Sequence, residues 1–209
     1  MQTKLFIHFA IALLLVGSAA PSFASVTTTQ LNSSISMDNG YEVYLATSDS
    51  DQGISFGSGN DWTTTFQNSA ALLTGVDYYL HVRGYDQGGI AGFLGEFSLT
   101  GLGHVFSNNS SSLTTNTIDW KTNNTGWGQS YLASVTNLGT NGVSPWGARP
   151  NIASAATWIW AGDANTQDLA YFSTKISAVS AVPVPAAVWM FGTGLGLLSL
   201  NARRKALNS

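Results

Sequence analysis

Apolar positions fall into three regimes along the chain. Near the start, Leu5 to Val16 is an apolar run broken only by His8. Near the end, Val182 to Leu200 is a second run that contains no charge. Between them, apolar residues come in short bursts that alternate with polar ones. Tyr41-Glu42-Val43-Tyr44-Leu45 follows the turn pair Asn39-Gly40, and Tyr78 to Tyr85 alternates until it meets Asp86-Gln87-Gly88-Gly89. Period-two alternation bounded by Gly and Asn reads as β-strand. The pattern predicts strands over 41–45, 61–66, 78–85, 90–99, 117–121, 157–160 and 169–176. No long helical period appears between residues 25 and 181. Seven or more short strands separated by turn residues predict an all-β fold, an antiparallel β-sandwich spanning 25–181.

Composition fills in the surface. Of 209 residues only 9% are charged, while 44% are hydrophobic and 7 Trp, 7 Tyr and 10 Phe are present. The apolar content suffices for a core. The polar surface must come mainly from Ser, Thr, Asn, Gln and Gly. There is no cysteine, which excludes thiol catalysis, Cys-ligated zinc and disulfides. The formal charge of −3 hides an asymmetry. Between the two apolar runs only Arg83, Lys121, Arg149 and Lys175 face all 11 acidic residues, a balance of −7. An acidic domain without a basic stripe argues against nucleic acid as a partner.

The first run has the layout of an export signal. Lys4 gives a positive start, and small residues at Ser22 and Ala24 suit signal peptidase, with cleavage after Ala24. Residues 1–24 therefore read as a signal peptide, with the secretion translocon and signal peptidase as partners. The run is short for a membrane span of about 20 residues.

The second run reads as a membrane segment with a stop. Its 19 residues are just long enough to cross a bilayer core of about 30 Å. The cluster Arg203-Arg204-Lys205 should remain cytoplasmic, leaving the bulk of the protein outside. Pro183 and Pro185 disfavour helix and hold the chain extended, the form a protease reads. The sequence Val182-Pro183-Val184-Pro185-Ala186, followed by the Gly/Leu-rich span and the basic cluster, resembles a PEP-CTERM sorting signal of the V-P-L-P-A type. That resemblance implies a tail over 182–209, with a Pro motif at 182–186, a transmembrane helix at 186–200 and a basic stop at 203–205. It implies an exosortase as partner, cleavage near the Pro motif, and delivery to the cell surface or extracellular matrix. Val184 departs from the Glu or Leu usual there.

The middle domain resembles the galactose-binding-like jelly-roll modules attached to many glycoside hydrolases. The resemblance is carried by Asp38 to Leu45, Gly57 to Trp62, Tyr79 to Val82 and Gly89 to Phe97. It implies a jelly-roll-like sandwich rather than a particular ligand.

Candidate chemistry is sparse. Trp127, in Thr125-Gly126-Trp127-Gly128, and Trp146, in Ser144-Pro145-Trp146-Gly147, lie in loop-like surroundings. They are the candidate ligand-binding residues, because an exposed indole stacks on a sugar face. Trp120, Trp158 and Trp160 lie on strand-like runs and read as core. Asp49 and Asp51 are the only weak calcium candidates, in a run that lacks the acid closing an EF-hand loop. Gly53-Ile54-Ser55-Phe56-Gly57 matches G-x-S-x-G, but no helix pattern follows it. Convergence of Ser55 with His81 or His104 would be needed for a serine hydrolase. No catalytic residues, cofactor or structural metal are expected. The expectation is a non-enzymatic exported surface or matrix protein with extracellular polysaccharide as candidate ligand. A secreted hydrolase and a purely structural matrix protein are the alternatives.

Overall fold

Alternation decides which side of each strand is buried, and β5 illustrates it. Tyr78, Leu80, Val82 and Gly84 face inward, while Tyr79, His81, Arg83 and Tyr85 face outward. The computed structural model describes residues 28–179. The signal residues Ser22 and Ala24, the motif Val182 to Ala186 and the cluster Arg203 to Lys205 lie outside the described residues.

Twelve strands are present among the described residues. They are β1 (Thr29–Asp38), β2 (Gly40–Ala46), β3 (Ile54–Gly59), β4 (Phe66–Leu72), β5 (Tyr78–Tyr85) and β6 (Gly92–Thr100), then β7 (His104–Phe106), β8 (Ser112–Thr114), β9 (Lys121–Asn123), β10 (Val135–Thr140), β11 (Thr157–Ala161) and β12 (Leu169–Ala178). Two antiparallel sheets result. The first runs β10-β11-β6-β1-β4 with β8 also on β6, and the second runs β3-β2-β5-β12-β7 with β9 also on β12. The described residues are all-β and form a two-sheet sandwich.

The core lies between the sheets. Leu31, Ile35 and Met37 of β1, Phe93 and Phe97 of β6, Leu80 and Val82 of β5 and Phe172 of β12 are fully or almost fully buried. Phe93 meets Phe172 across the sandwich at 4.9 Å between ring centres. Each such side chain contributes about 1.5–3 kcal/mol by leaving water. Gly84 is required where Trp160 enters the core. A Cβ there would lie 2.9 Å from the indole and from Met37 Sδ. As expected, Trp120, Trp158 and Trp160 are buried.

Strands expected over 41–45, 78–85, 90–99, 157–160 and 169–176 are all present with small boundary shifts. Two expectations fail. Of residues 61–66 only Phe66 joins a strand and the rest form a turn, because the Asp61 carboxylate takes hydrogen bonds from Thr63 N at 2.9 Å and from the Thr63 and Thr64 hydroxyls at 2.7 Å. Side-chain capture of the backbone competes with a ladder. Of residues 117–121 only Lys121 joins a strand, because Asn116 Oδ1 accepts from the Ile118 and Asp119 amides at 2.8 Å. The serine-rich β1 was not foreseen, yet it is central in its sheet.

The register also sorts the ends of the sandwich. Thr29 pairs with Leu72 and Ala178 with His104. His104 Nδ1 lies 3.0 Å from Thr29 Oγ1. Both ends of the described chain thus lie at one end of the sandwich, the base, with the β4–β5 and β6–β7 turns. The β1–β2 and β5–β6 turns and the 162–168 loop form the opposite apex, where Asp86 N donates to Asp168 O at 2.8 Å.

Candidate functional site

Even-numbered residues of β1 face away from the core, and they set the floor of a groove. Asn32 and Ser34 stand in register with Ser69 and Gln67 of β4 on one side and with Ser98 and Glu96 of β6 on the other. Together with Asn151 they line an open groove of about 450 Å³. Among the described residues, the side chains of Asn32, Ser34, Gln67, Ser69, Ser98 and Asn151 make no hydrogen bond to the rest of the protein. Each amide or hydroxyl there both donates and accepts. Glu96 is the one charged residue, and its Oε2 accepts from Ala153 N at 2.6 Å.

The wall of this groove is the 141–156 segment, which folds over the outer face of the first sheet. It is held by a small second core of Leu94, Trp146, Ile152, Ala156 and Trp158. Trp146 stacks on Trp158 at 4.4 Å and 19°. Its Nε1 donates to Asp38 Oδ2 at 2.8 Å. Burial raises the Asp38 pKa, opposed by the Trp146 hydrogen bond. Gly92 leaves room for this pair, since a Cβ would stand 2.8 Å from Trp146 and 2.9 Å from Trp158. Asn141 fastens the segment: its Nδ2 donates to Ile152 O at 2.8 Å and Arg149 N donates to its Oδ1 at 2.7 Å. Asn151 presents its amide from a left-handed backbone, φ 60°.

The outer face of the second sheet is also polar, but its groups are knotted together. Two loops fold onto it, 47–53 and 124–134. Asp49 is the hub. Its Oδ1 accepts from Ser173 Oγ at 2.5 Å, and its Oδ2 pairs with Lys121 Nζ at 2.5 Å. His81 is fully buried beneath, with Nε2 3.4 Å from Asp49 Oδ1 and Nδ1 3.3 Å from Gln52 O. Burial pushes the Asp49 carboxyl up, yet hydrogen bonds from Lys121 and Ser173 outweigh it and leave the pKa below its usual 3.8. Burial lowers the His81 imidazole below its usual 6.5, despite the partners that favour its charged form. Burial, with the nearby Asp49 charge, pushes the Tyr131 phenol up to about 12.

The two candidate tryptophans part company. Trp146 is 3% exposed, so neither ring face is open to a sugar. Its role as a stacking platform is corrected: the apolar second core captures the ring, and it builds the groove wall instead. Trp127 is half-buried, stacked on His81 at 4.4 Å and 16° and met edgewise by Tyr171 and Tyr44. It pins the 124–134 loop to the sheet. Asp49 is engaged by Lys121 and Ser173 rather than gathered with other acids, and Asp51 is exposed. Among the described residues no group of three His, Cys, Asp or Glu is arranged to hold a metal. Ser55 and His81 both stand opposite Tyr44, two strands apart at roughly 10 Å. His104 pairs with Ala178 and His81 with Ser173, five positions along β12 and so roughly 17 Å apart. The three do not converge. Ser173 lies nearest a serine–histidine–aspartate set, but its proton goes to Asp49, not to His81.

The groove residues escaped the sequence reading because single Ser, Asn and Gln residues carry no spacing signature. The one legible signal was the alternation Leu31-x-Ser33-x-Ile35-x-Met37, which exposes Asn32 and Ser34 together. No family model, no curated protein and no solved structure matches the chain.

Proposed function

We propose that this is a non-enzymatic exported protein of the cell surface or extracellular matrix, and that its sandwich binds polysaccharide in the groove of the first sheet. The observation that carries the reading is the row of uncommitted amides and hydroxyls over Asn32, Ser34, Gln67, Ser69 and Ser98. A hydroxyl-rich chain matches such a surface bond for bond, with Glu96 as the strongest acceptor. The jelly-roll-like reading of the sandwich rests on the sequence resemblance, and two antiparallel sheets with a grooved outer face support it.

The export half rests on residues 1–24 and 182–209 of the sequence. Signal peptidase removes the first segment. The tail anchors the domain outside the inner membrane until an exosortase cuts near Pro183 and Pro185 and releases it to the surface or matrix. Deleting 182–209 is expected to abolish surface delivery. Unchanged delivery and unchanged C-terminal processing would sink this half. For the binding half, the full chain on a glycan array is expected to retain polysaccharides, with retention lost on combining Asn32→Ala with Glu96→Gln. A blank array overturns it.

A further inference from the structure

The base of the sandwich carries the most exposed apolar residues near the chain exit. Leu102, in the β6–β7 turn, is 92% exposed, Leu73 beside the β4–β5 turn is 62%, and Val179 is 43%. A lone exposed leucine needs no explanation, whereas a cluster does. These three are held together. Val179 N donates to Gly103 O at 2.9 Å, Val76 N to Leu73 O at 3.3 Å, and His104 Nε2 lies 2.9 Å from Val76 O. The turns are therefore tied to the core and to each other.

Charge is distributed to match. Among the described residues, the turns at the base carry two carboxylates, Asp51 in the 47–53 loop beside Leu73 and Asp77. Asp77 is neutralised by Lys175 at 2.7 Å and accepts from Ala178 N at 2.8 Å. Asp38, Asp61, Asp86, Asp163 and Asp168 all sit at the apex or in the adjoining 61–66 turn. The base is thus apolar and less acidic than the apex.

Only Ser180 and Ala181 separate Val179 from the apolar run at Val182. That spacer reaches at most about 10 Å, and about 25 Å even to Ala186. A domain tethered so closely meets the membrane surface with this face.

We propose that the base seats on the lipid surface, with Leu73, Leu102 and Val179 entering the interfacial layer and the acidic apex pointing away. The inference rests on reading 182–200 as a membrane span. Apolar side chains on rigid turns suit the headgroup–acyl boundary. Anionic headgroups repel the apex, with its five aspartates, more strongly than the base. The consequence is a fixed presentation: the strands stand upright, and the polar groove on the side of the sandwich stays open to matrix polymers.

The native chain has no cysteine, so single labels are clean. Full-length Leu73→Cys, Leu102→Cys and, at the apex, Asn165→Cys would each carry an environment-sensitive dye. Each would be reconstituted in phosphatidylethanolamine–phosphatidylglycerol vesicles with brominated acyl chains. Blue-shifted emission quenched by the brominated lipid is expected at 73 and 102, and neither effect at 165. Protein stripped from the vesicles by carbonate overturns the membrane-span reading and this proposal with it. Retained protein whose labels at 73 and 102 behave like 165 overturns this proposal alone. A blue shift without lipid quenching identifies a second copy of the chain as the cover and also overturns it.

Discussion

Ser98 and Ser173 are both strand serines on an outer face, one on each sheet. The Ser98 hydroxyl lines the open groove and, among the described residues, makes no hydrogen bond. Ser173 is fully buried and donates to Asp49 at 2.5 Å. The difference lies in what folds over them. On the second sheet the 47–53 loop brings an acid down onto the strands and consumes the donors there. On the first sheet the 141–156 segment lands to one side, packs on Leu94 and leaves β1 and β4 uncovered. A polar sheet face therefore becomes either a bonded network or an open row of free polar groups, according to the loop that meets it.

The strongest way to break this comparison is Trp146→Ala. It empties the second core and removes the Asp38 partner, at an expected cost of about 3–5 kcal/mol. Chemical denaturation measures the cost, and polysaccharide retention should fall with it because the groove loses its wall. If stability drops but retention does not, the wall is dispensable and the floor alone binds.

Asp49→Ala tests the network on the other face. It strands Ser173 and Lys121 and uncovers His81, costing about 2 kcal/mol because the carboxylate is only partly buried. Retention of polysaccharide should be unchanged. A loss of binding without a loss of stability would transfer the site to the second sheet.

A smaller effect follows from pH. His81 and Asp49 are both depressed in the folded state. Their contribution is complete above pH 6.5 and is lost as pH falls through it for His81, then through the carboxylate range for Asp49. The unfolding temperature should decline on acidification from pH 7.5, and less so in His81→Gln. An equal decline in both proteins would show that His81 does not couple to folding.

The smallest stability effects belong to the groove. Asn32→Ala, Gln67→Ala and Ser98→Ala should each change stability by no more than about 0.5 kcal/mol. Each should weaken polysaccharide binding by up to about tenfold, the worth of one hydrogen bond. Substitutions that destabilise the fold and leave binding intact would invert the assignment of the two faces.

Some of this was readable from local pattern. β5 and β12 alternate so cleanly that their inward faces follow from the residues alone, because a strand's period is two and burial needs one apolar face. The runs at 61–66 and 117–121 looked like strands for the same reason. Their Asp61 and Asn116 side chains turn the backbone instead, a competition between two local solutions that periodicity does not settle.

Trp127 and Trp146 mark where local pattern ends. Both sit in Gly-flanked loops, and both looked exposed. One stacks on His81 and the other on Trp158, partners 46 and 12 positions away in the chain. The all-β character, the acidic balance and the two apolar end runs belong to the sequence by itself. Which polar side chains remain unbonded, and which apolar turns gather beside Val179, were decided only by tertiary structure. The reason is physical: freedom of a hydroxyl, like exposure of a leucine, depends on what the rest of the chain brings within bonding distance, and those approaches are non-local.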